Sequence, residues 1–170
     1  SIIPNLPFAK RSEVLKCIEV RTIENTEQAP ANLIAFRNGI LDIMTGDLLP
    51  NTPDIIITNR IGWDYNPNAY DETLDKTLDK IACYDKSIRA LLEEAVGYAL
   101  FRRNELGKAF FLTGTGSNGK STYLETLEYM LGEDNVSILD LKNLSGRFDK
   151  VAMFGKLANI GDDISDEFVV

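Results

Sequence analysis

The stretch FFLTGTGSNGKSTYLETL, residues 110–127, places three glycines and a Gly-Lys-Ser run between an apolar segment and an amphipathic one. The apolar residues around the first part, Ala109–Thr113, predict a short buried strand. From Gly119 to Leu131 three leucines recur at helical spacing, which predicts a helix with Gly132 as its C-terminal stop. The stretch therefore predicts a strand, a glycine-rich loop and a helix in direct succession.

The loop itself, GTGSNGKS at residues 114–121, matches the spacing GxxxxGK[ST] at every fixed position. Glycines let a backbone wrap closely around a phosphate and reach positive φ at little cost. The N–H groups of such a loop form an anion nest, and the following helix adds its positive N-terminal end. Such a match is expected by chance in roughly one chain in two hundred of this size, so a Gly-rich turn with a solvated lysine is the weaker alternative.

Each position in the loop has a predicted role. Lys120 is predicted to contact the β- and γ-phosphates of a nucleotide, and the Ser121 hydroxyl to be a hard oxygen ligand for Mg²⁺. The predicted nucleotide-binding residues are Gly114, Thr115, Gly116, Ser117, Asn118, Gly119, Lys120, Ser121 and Thr122.

A second candidate motif is KLANIGDD, residues 156–163. A mostly apolar strand is predicted over Lys156–Gly161, and it ends at two adjacent acids on the sheet edge where α/β proteins bind ligands. Asp162 is predicted to hold Mg²⁺, and Asp163 to orient or deprotonate an attacking water, with the reverse order also open. Lys120 and Asp163 are therefore the predicted catalytic residues, while an ordinary exposed acidic loop over residues 162–167 is the alternative.

The rest of the chain predicts two kinds of sheet. Strands at Val136–Leu139 and 156–161, separated by a helix at 147–154, indicate a parallel sheet covered by helices. Upstream, three isoleucine-rich runs predict an antiparallel meander, since Asn38-Gly39 is a hairpin signal in which both residues tolerate positive φ. The runs are residues 33–36, 40–43 and 55–58, with a second turn at 45–47. Helices are predicted at 11–23, 71–84 and 86–103, and a linker at 104–107.

Composition excludes several classes of function. The chain has no histidine, which rules out Ser-His-Asp and Cys-His catalysis and ordinary zinc sites. Its two cysteines, Cys17 and Cys83, lack CxxC spacing and are predicted to be reduced and buried rather than bonded, as in a cytoplasmic protein. No apolar run approaches the roughly 18–20 residues of a membrane helix, and no secretory signal is visible. The net charge of −8 predicts that DNA contact needs local basic patches.

Three further groups are weaker candidates. Arg102, Arg103 and Lys108 are read as a solvated helix end, with a phosphate or DNA contact as the alternative. Trp63, Tyr65 and Tyr70 are read as a packing cluster rather than a base-stacking platform. At least one of Arg147, Lys150 and Lys156 is a candidate to face a nucleotide or a neighbouring subunit.

Three stretches together resemble the C-terminal part of phage and plasmid primase–helicases, which are superfamily 3 helicases related to the poxvirus primase–helicase. They are NLIAFRNGILDIMTGDLLPNTPD (32–54), GTGSNGKSTYLETLEYMLG (114–132) and SGRFDKVAMFGKLANIGDDIS (145–165). This combination is more specific than the glycine loop alone. It covers the chain from about residue 30 to the end.

The resemblance implies an α/β fold in which an N-terminal α+β accessory domain, residues 1–106, precedes an AAA+-like P-loop ATPase core, residues 107–170. It implies a DNA helicase motor that binds ATP and Mg²⁺, assembles into homo-hexamers and moves along single-stranded or forked DNA during replication. A primase domain or primase partner and the cytoplasm of a bacterial host are implied as well. The family's nucleotide-binding loop corresponds to Gly114–Ser121, and its acid pair to Asp162 and Asp163.

The family's later features have no counterpart before Val170. These are a sensor strand, an arginine that reaches a neighbour's nucleotide and a DNA-contacting hairpin. The ATPase core is therefore expected to be incomplete and to lack the strand between the P-loop strand and the strand that ends at the acids. Hydrolysis by this chain alone is expected to be weak, because such an arginine is worth roughly 10³–10⁵ in rate.

Two other classes of function stay open. One is a different P-loop enzyme, such as a GTPase or a small-molecule kinase, although the chain has no NKxD tetrapeptide for reading guanine. The other is a non-enzymatic docking module with weak nucleotide binding, against which the intact Lys120 and Ser121 argue.

Overall fold

The computed structural model describes residues 10–14, 29–140 and 149–161, and its architecture mixes helices and sheets. The described strands are β1 (Leu33–Phe36), β2 (Gly39–Asp42), β3 (Leu48–Leu49), β4 (Val136–Ser137) and β5 (Ala158–Asn159). The helices are α1 (Glu72–Ile81), α2 (Lys86–Leu100) and α3 (Lys120–Leu131). Within the described ranges, no helix is long and apolar enough to cross a membrane.

Shorter helical pieces complete the list of elements. Two 3₁₀ turns cover Glu133–Asn135 and Asp149–Met153, and residues 10–14 are helical. The predicted helix at 11–23 is thus helical at its start, and its remainder lies outside the described residues. The predicted helix at 147–154 is a short 3₁₀ turn over its described part.

Strands β1, β2 and β3 form the predicted antiparallel meander. Phe36 pairs with Gly39, so Arg37 and Asn38 form a two-residue turn. The hairpin is confirmed, although neither Asn38 nor Gly39 adopts the positive φ that both residues tolerate. Gly39 is required for a different reason, because a Cβ there would lie 2.6 Å from the carbonyl oxygen of Leu49. Asn38 instead exchanges two hydrogen bonds with the backbone of Tyr65, at 2.9 and 3.0 Å.

The third strand of the meander is β3 rather than the predicted run at 55–58. Gly46 takes a φ of 80°, and its N–H donates to the carbonyl of Asp42 at 2.7 Å. This tight turn brings Leu48 and Leu49 directly beside β2, so the neighbouring edge is occupied before residue 55 is reached. The chain then rejoins the sheet only at Arg60, in a single parallel bridge to Ala35.

Helices α1 and α2 confirm the two predicted helices and form a helical hairpin, because only residues 82–85 separate them. Asp71 and Asp85 cap them, accepting from the N–H of Leu74 at 2.7 Å and of Ser87 at 2.8 Å. Such side-chain caps satisfy N–H groups that have no partner inside the helix. Arg89 of α2 joins the helices through carboxylates of α1, at 2.7 Å to Asp75 and 2.8 Å to Asp79.

The turn between these helices contains Cys83, which is exposed and free. The prediction of a buried thiol is wrong for Cys83, and its reduced state stays a prediction. The side chain lies outside the core because the turn itself points to solvent, while the preceding Ala82 is fully buried. Cys17 lies outside the described residues.

Helix α3 lies between two apolar clusters. Its N-terminal half packs against the α1–α2 hairpin, in a cluster built on Ala82, Leu92 and Tyr123. Its C-terminal half packs against the meander and β4, in a cluster built on Ile34, Ile61, Leu127, Leu131 and Val136. Leu131 is completely buried, and burying a leucine side chain is worth roughly 1.5–3 kcal/mol. Both clusters combine residues from before and after the predicted linker at 104–107.

Strands β4 and β5 form a parallel pair, in the register Val136 with Ala158. They correspond to the two strands predicted at 136–139 and 156–161, but each has only two residues. The side chain of Asn159 extends the pairing: its Oδ1 accepts from the N–H of Leu139 at 2.9 Å, and its Nδ2 donates to the carbonyl of Leu139 at 3.0 Å.

The predicted buried strand at Ala109–Thr113 is wrong. The segment pairs with no described strand, and Phe110 and Phe111 are 45% and 62% exposed. A strand needs a neighbour to satisfy its backbone groups, so an apolar pattern alone does not produce one. Leu112 instead packs against the cluster at the α1–α2 hairpin.

Candidate functional site

The glycine loop, residues 114–119, has an unusual backbone that leads directly into α3. Three of its residues have positive φ: Gly116 at 98°, Ser117 at 47° and Gly119 at 85°. Glycine reaches this region without steric cost, whereas Ser117 is there despite its Cβ. Gly116 and Gly119 thus supply the freedom that this path needs at two of its three positive-φ positions.

The N-terminus of α3 carries N–H groups without a side-chain cap. Gly119 is the N-cap residue and has no side chain to accept from the first turn. Among the described residues, none accepts a hydrogen bond from the backbone N–H groups of residues 115–122. The next N–H, that of Tyr123, donates to the carbonyl of Gly119 at 2.9 Å. An open depression of about 280 Å³, lined by residues 117–122, lies at this point. Unpaired N–H groups and the positive end of the helix dipole make such a depression suited to an anion.

Lys120 is the first residue of α3, and its ammonium group turns back over the loop. Its Nζ donates to the Oδ1 of Asn118 at 2.9 Å and to the carbonyl oxygen of Gly114 at 3.3 Å. Both acceptors are neutral, so the described residues give this charge no carboxylate partner. The positive charge is therefore held against the loop, between Gly114 and Asn118.

The Asn118 side chain bonds to Lys120 and lies beside Gly114, the first glycine of the loop. A Cβ added at Gly114 would lie 1.8 Å from its Nδ2, so no larger residue fits at Gly114 without moving Asn118. A side chain at Gly114 thus has to displace only the end of the exposed Asn118 side chain, whereas the last glycine is required by its φ. The contact between Asn118 and Lys120 was not foreseen from the sequence, because a pattern with free positions gives no reason to single out Asn118.

Ser121 and Thr122 occupy the next two positions of α3 and are both exposed. The Ser121 hydroxyl has no hydrogen-bond partner among the described residues, and a hard cation prefers such oxygen ligands. The carbonyl of Thr122 accepts from the Thr126 hydroxyl at 2.7 Å. Ser121 thus fits a role as a Mg²⁺ ligand beside a bound phosphate, although the described residues contain no cluster of three acidic or thiol ligands.

The loop rests on the α1–α2 hairpin. A Cβ added at Gly119 would lie 2.6 Å from the Cγ1 of Ile81 and 3.2 Å from its Cδ1. One turn further along α3, the buried Tyr123 hydroxyl donates to the carbonyl of Leu92 in α2 at 2.7 Å. Ile81 lies in the last turn of α1, and the sequence analysis did not single it out as part of the site.

The predicted acid pair, Asp162 and Asp163, lies outside the described residues. The chain leading to it is described: β5 ends at Asn159, and the N–H of Ile160 donates to the carbonyl of Ser137 at 2.8 Å. The roles of the two acids remain predictions.

The predicted basic patch does not form one surface. The Arg102 guanidinium donates to three backbone carbonyls, those of Leu33, Ala29 and Pro30, at 2.6–3.2 Å. Burial is the main cause that lowers its pKa, ahead of the nearby Arg103. Arg102 therefore links the end of α2 to residues 29–33 and is not solvated as predicted. Arg103 pairs with Glu105 at the surface.

The predicted aromatic group divides into separate packing contacts. The Trp63 ring lies 4.8 Å from that of Tyr129, and its Nε1 donates to the Tyr129 carbonyl at 3.0 Å. Tyr65 lies 5.3 Å from Phe36, and the Tyr70 hydroxyl donates to Asp75. Among the basic residues near the sheet, Lys156 donates to the carbonyl of Asp134 at 2.6 Å. Arg147 and the Lys150 side chain lie outside what the structure describes.

Comparisons with known proteins agree in part with the resemblance. The family described as D5 N terminal like matches residues 3–83, and a family of unknown function, DUF5906, matches residues 112–169. A protein of Acanthamoeba polyphaga mimivirus, named a "putative helicase", is 32% identical over 104 residues. These residues are 59% of this chain and 11% of that relative, so the chain spans about a tenth of the relative's length. The first family and the helicase-named relative support a relation to primase–helicases.

Proposed function

We propose that the glycine loop binds the phosphates of ATP together with Mg²⁺, and that the chain is part of an ATP-driven DNA helicase that acts in replication. The observation that carries the proposal is the start of α3, where uncapped N–H groups, a left-handed Gly119 and the Lys120 ammonium surround one open depression. The relation to primase–helicases supports the step from a phosphate site to a helicase.

In this proposal each residue has a defined task. The N–H groups of the loop and of the first turn of α3 hold the phosphate oxygens, and Lys120 exchanges its contact with Asn118 for one with the β- and γ-phosphates. Ser121 and Asp162 would hold Mg²⁺, which when bound neutralises part of the phosphate charge. Asp163 would orient or deprotonate the attacking water. Single-stranded or forked DNA, a homo-hexamer and a primase domain or partner belong to the proposal for the whole protein.

The first test is titration calorimetry of Mg-ATPγS and Mg-ADP on the 170-residue chain and on its Lys120→Ala variant. Loss of hydrogen bonds to a charged group is worth about 1.5–3 kcal/mol, so affinity is expected to fall roughly 10- to 100-fold. Lys86→Ala is the matched control, because Lys86 is the first residue of α2 as Lys120 is of α3. Equal affinities of wild type and Lys120→Ala would contradict the proposal.

The nucleotide and the acids are tested separately. Binding of ATP in preference to GTP is expected, whereas the reverse preference would favour another class of P-loop enzyme. Asp162→Asn is expected to raise the Mg²⁺ concentration needed for tight binding, and Asp163→Asn to lower hydrolysis while leaving binding intact. If no nucleotide binds, the docking-module alternative gains instead.

A further inference from the structure

We propose that Ile81, in the last turn of α1, is a positioning residue that holds the glycine loop in its phosphate-binding conformation. This inference rests on the proposed function of the loop. It assigns the α1–α2 hairpin a part in nucleotide binding, although the hairpin lies before the predicted linker and carries none of the predicted site residues. The three atoms nearest to the Cβ position of Gly119 all belong to Ile81, at 2.6, 3.2 and 3.8 Å.

Gly119 is the point at which the conformation of the loop is decided. It has a φ of 85° and is both the last residue of the loop and the N-cap of α3. A residue without a side chain has many accessible conformations, so its own bonding does not select this one. The Ile81 side chain occupies the space directly beside Gly119 and thereby excludes conformations that would carry the loop toward α1.

Ile81 is itself held firmly by the end of its helix. The residue after it, Ala82, is completely buried, and its N–H donates to the carbonyl of Leu78 at 2.9 Å. The N–H of Tyr84 closes the turn by donating to the carbonyl of Asp79 at 2.8 Å. Arg89 then ties α1 to α2 through Asp75 and Asp79. The end of α1 that contacts the loop is therefore held by the turn that follows it and by the ion pairs to α2.

A second contact fixes α3 relative to the same hairpin. The Tyr123 hydroxyl, one turn after Gly119, donates to the carbonyl of Leu92 inside the cluster that includes Ile81. The helix start is thus fixed at two points by α1 and α2. Removing the Ile81 contact would leave the helix attached but let the loop sample other conformations.

The consequence for binding follows from the population of the competent loop. Apparent affinity falls in proportion to the fraction of molecules in the binding conformation. If Ile81→Ala lowers that fraction from nearly all to about a tenth, the apparent Kd for Mg-ATPγS rises about tenfold. Ile81→Val, which removes only the Cδ1 atom, should raise it about two- to threefold.

The matched control is Leu78→Ala. Leu78 lies on the same face of α1 and packs against the same cluster, but it provides none of the atoms nearest to Gly119. It is expected to destabilise the fold about as much as Ile81→Ala while changing the Kd by less than twofold. Hydrogen exchange of the nucleotide-free protein adds a readout independent of binding: amides of residues 115–121 should exchange faster in Ile81→Ala than in Leu78→Ala.

The outcomes separate this inference from the proposed function. If wild type binds Mg-ATPγS and affinity falls in the order Ile, Val, Ala at position 81, the inference holds. If wild type binds and Ile81→Ala binds equally well, or Leu78→Ala loses as much affinity, the inference is wrong and the proposed function stands. If wild type binds no nucleotide, both are overturned. If far-UV circular dichroism shows that Ile81→Ala is unfolded, the Kd values of Ile81→Val and Leu78→Ala are compared instead. A larger rise in Kd for Ile81→Val supports the inference, and an equal or smaller rise overturns it.

Discussion

Two short segments of this chain turn through left-handed backbone conformations, and they lie on opposite sides of the contact between Ile81 and Gly119. One is the turn between α1 and α2, where Cys83 and Tyr84 have φ values of 52° and 60°. The other is the glycine loop. In the turn, the N–H groups of Cys83, Tyr84 and Asp85 all donate to carbonyls of residues 79–82. In the loop, the N–H groups find no acceptor among the described residues.

This difference separates a turn that is held by its own hydrogen bonds from the loop that we propose binds phosphate. The turn uses non-glycine residues in a conformation that costs roughly 1–2 kcal/mol per residue, and its own hydrogen bonds offset that cost. The loop uses glycine at two of its three positive-φ positions, Gly116 and Gly119, and bears that cost only at Ser117. Its N–H groups stay available. A positive φ alone therefore does not mark a candidate binding loop. Backbone N–H groups that lack an acceptor are the more informative feature.

The largest expected effect is that of Gly119→Ala. A Cβ there adds left-handed strain of about 1–2 kcal/mol and overpacking against Ile81 of about 1–3 kcal/mol. We expect the free energy of unfolding to fall by about 2–5 kcal/mol in urea denaturation, and nucleotide affinity to fall at least tenfold.

Gly116→Ala is the matched control for that prediction. Gly116 also has a positive φ, of 98°, but a Cβ there meets nothing within 4 Å. Its cost should be limited to strain, about 1–2 kcal/mol. Equal losses for the two variants would show that the contact with Ile81 does not constrain the loop.

Tyr123→Phe tests the second contact between α3 and the α1–α2 hairpin, the hydrogen bond from the Tyr123 hydroxyl to Leu92. It removes a buried hydroxyl and leaves the Leu92 carbonyl with one partner fewer, so stability should fall by about 1–2 kcal/mol. Thermal or urea unfolding measures this. Tyr129→Phe in the same helix is the control, because Tyr129 is 67% exposed and keeps its ring contact with Trp63. A loss as large in Tyr129→Phe would count against the Tyr123 hydrogen bond.

Tyr84→Gly should change stability less than Gly119→Ala or Tyr123→Phe. Glycine relieves the left-handed strain of the turn but adds flexibility to the unfolded chain, and the two effects are of similar size. We expect the free energy of unfolding to change by less than about 1 kcal/mol and nucleotide affinity to stay as in wild type. A much larger loss would mean that the Tyr84 ring, which is 73% exposed, contributes contacts of its own.

The smallest expected effect is a change in acid sensitivity at the same turn. Hydrogen bonds from the Ser87 hydroxyl, and then from the N–H groups of Ser87 and Ile88, lower the pKa of Asp85. Asp85 therefore adds stability above its unfolded pKa of about 3.9, and this stability is lost as pH falls through the lower folded value. Asn also caps helices but does not ionise. Asp85→Asn should thus unfold with a shallower dependence on pH between about pH 5 and 3, and an unchanged slope would contradict this.

Local signals predicted much of the fold. The leucine spacing of α3 and the turn at 45–47 are decided by neighbouring residues, so the helices and the first two strands could be read from the sequence. The strand at 109–113 could not, because a strand depends on what lies beside it. The run at 55–58 failed for the same reason, since the turn at 45–47 brought Leu48 and Leu49 to the edge first.

The sequence located the glycine loop but not the contacts that support it. The spacing of Gly114, Gly119, Lys120 and Ser121 singled out the loop, and the phosphate-binding role of these residues stays a prediction. The contact of Ile81 with Gly119 joins residues far apart in sequence and follows only from how α1 and α3 pack. The Asn118 contact with Lys120 depends on a side-chain conformation that no spacing rule encodes.

The contact between Trp63 and α3 gives the protein an optical reporter of its own. Trp63 is the single tryptophan of the chain, 42% exposed, and its indole is hydrogen-bonded to the helix that begins at the glycine loop. Indole emission responds to solvent exposure and hydrogen bonding. A shift of α3 would therefore change the emission maximum and the intensity of the Trp63 fluorescence. This needs no label and no substitution in the loop.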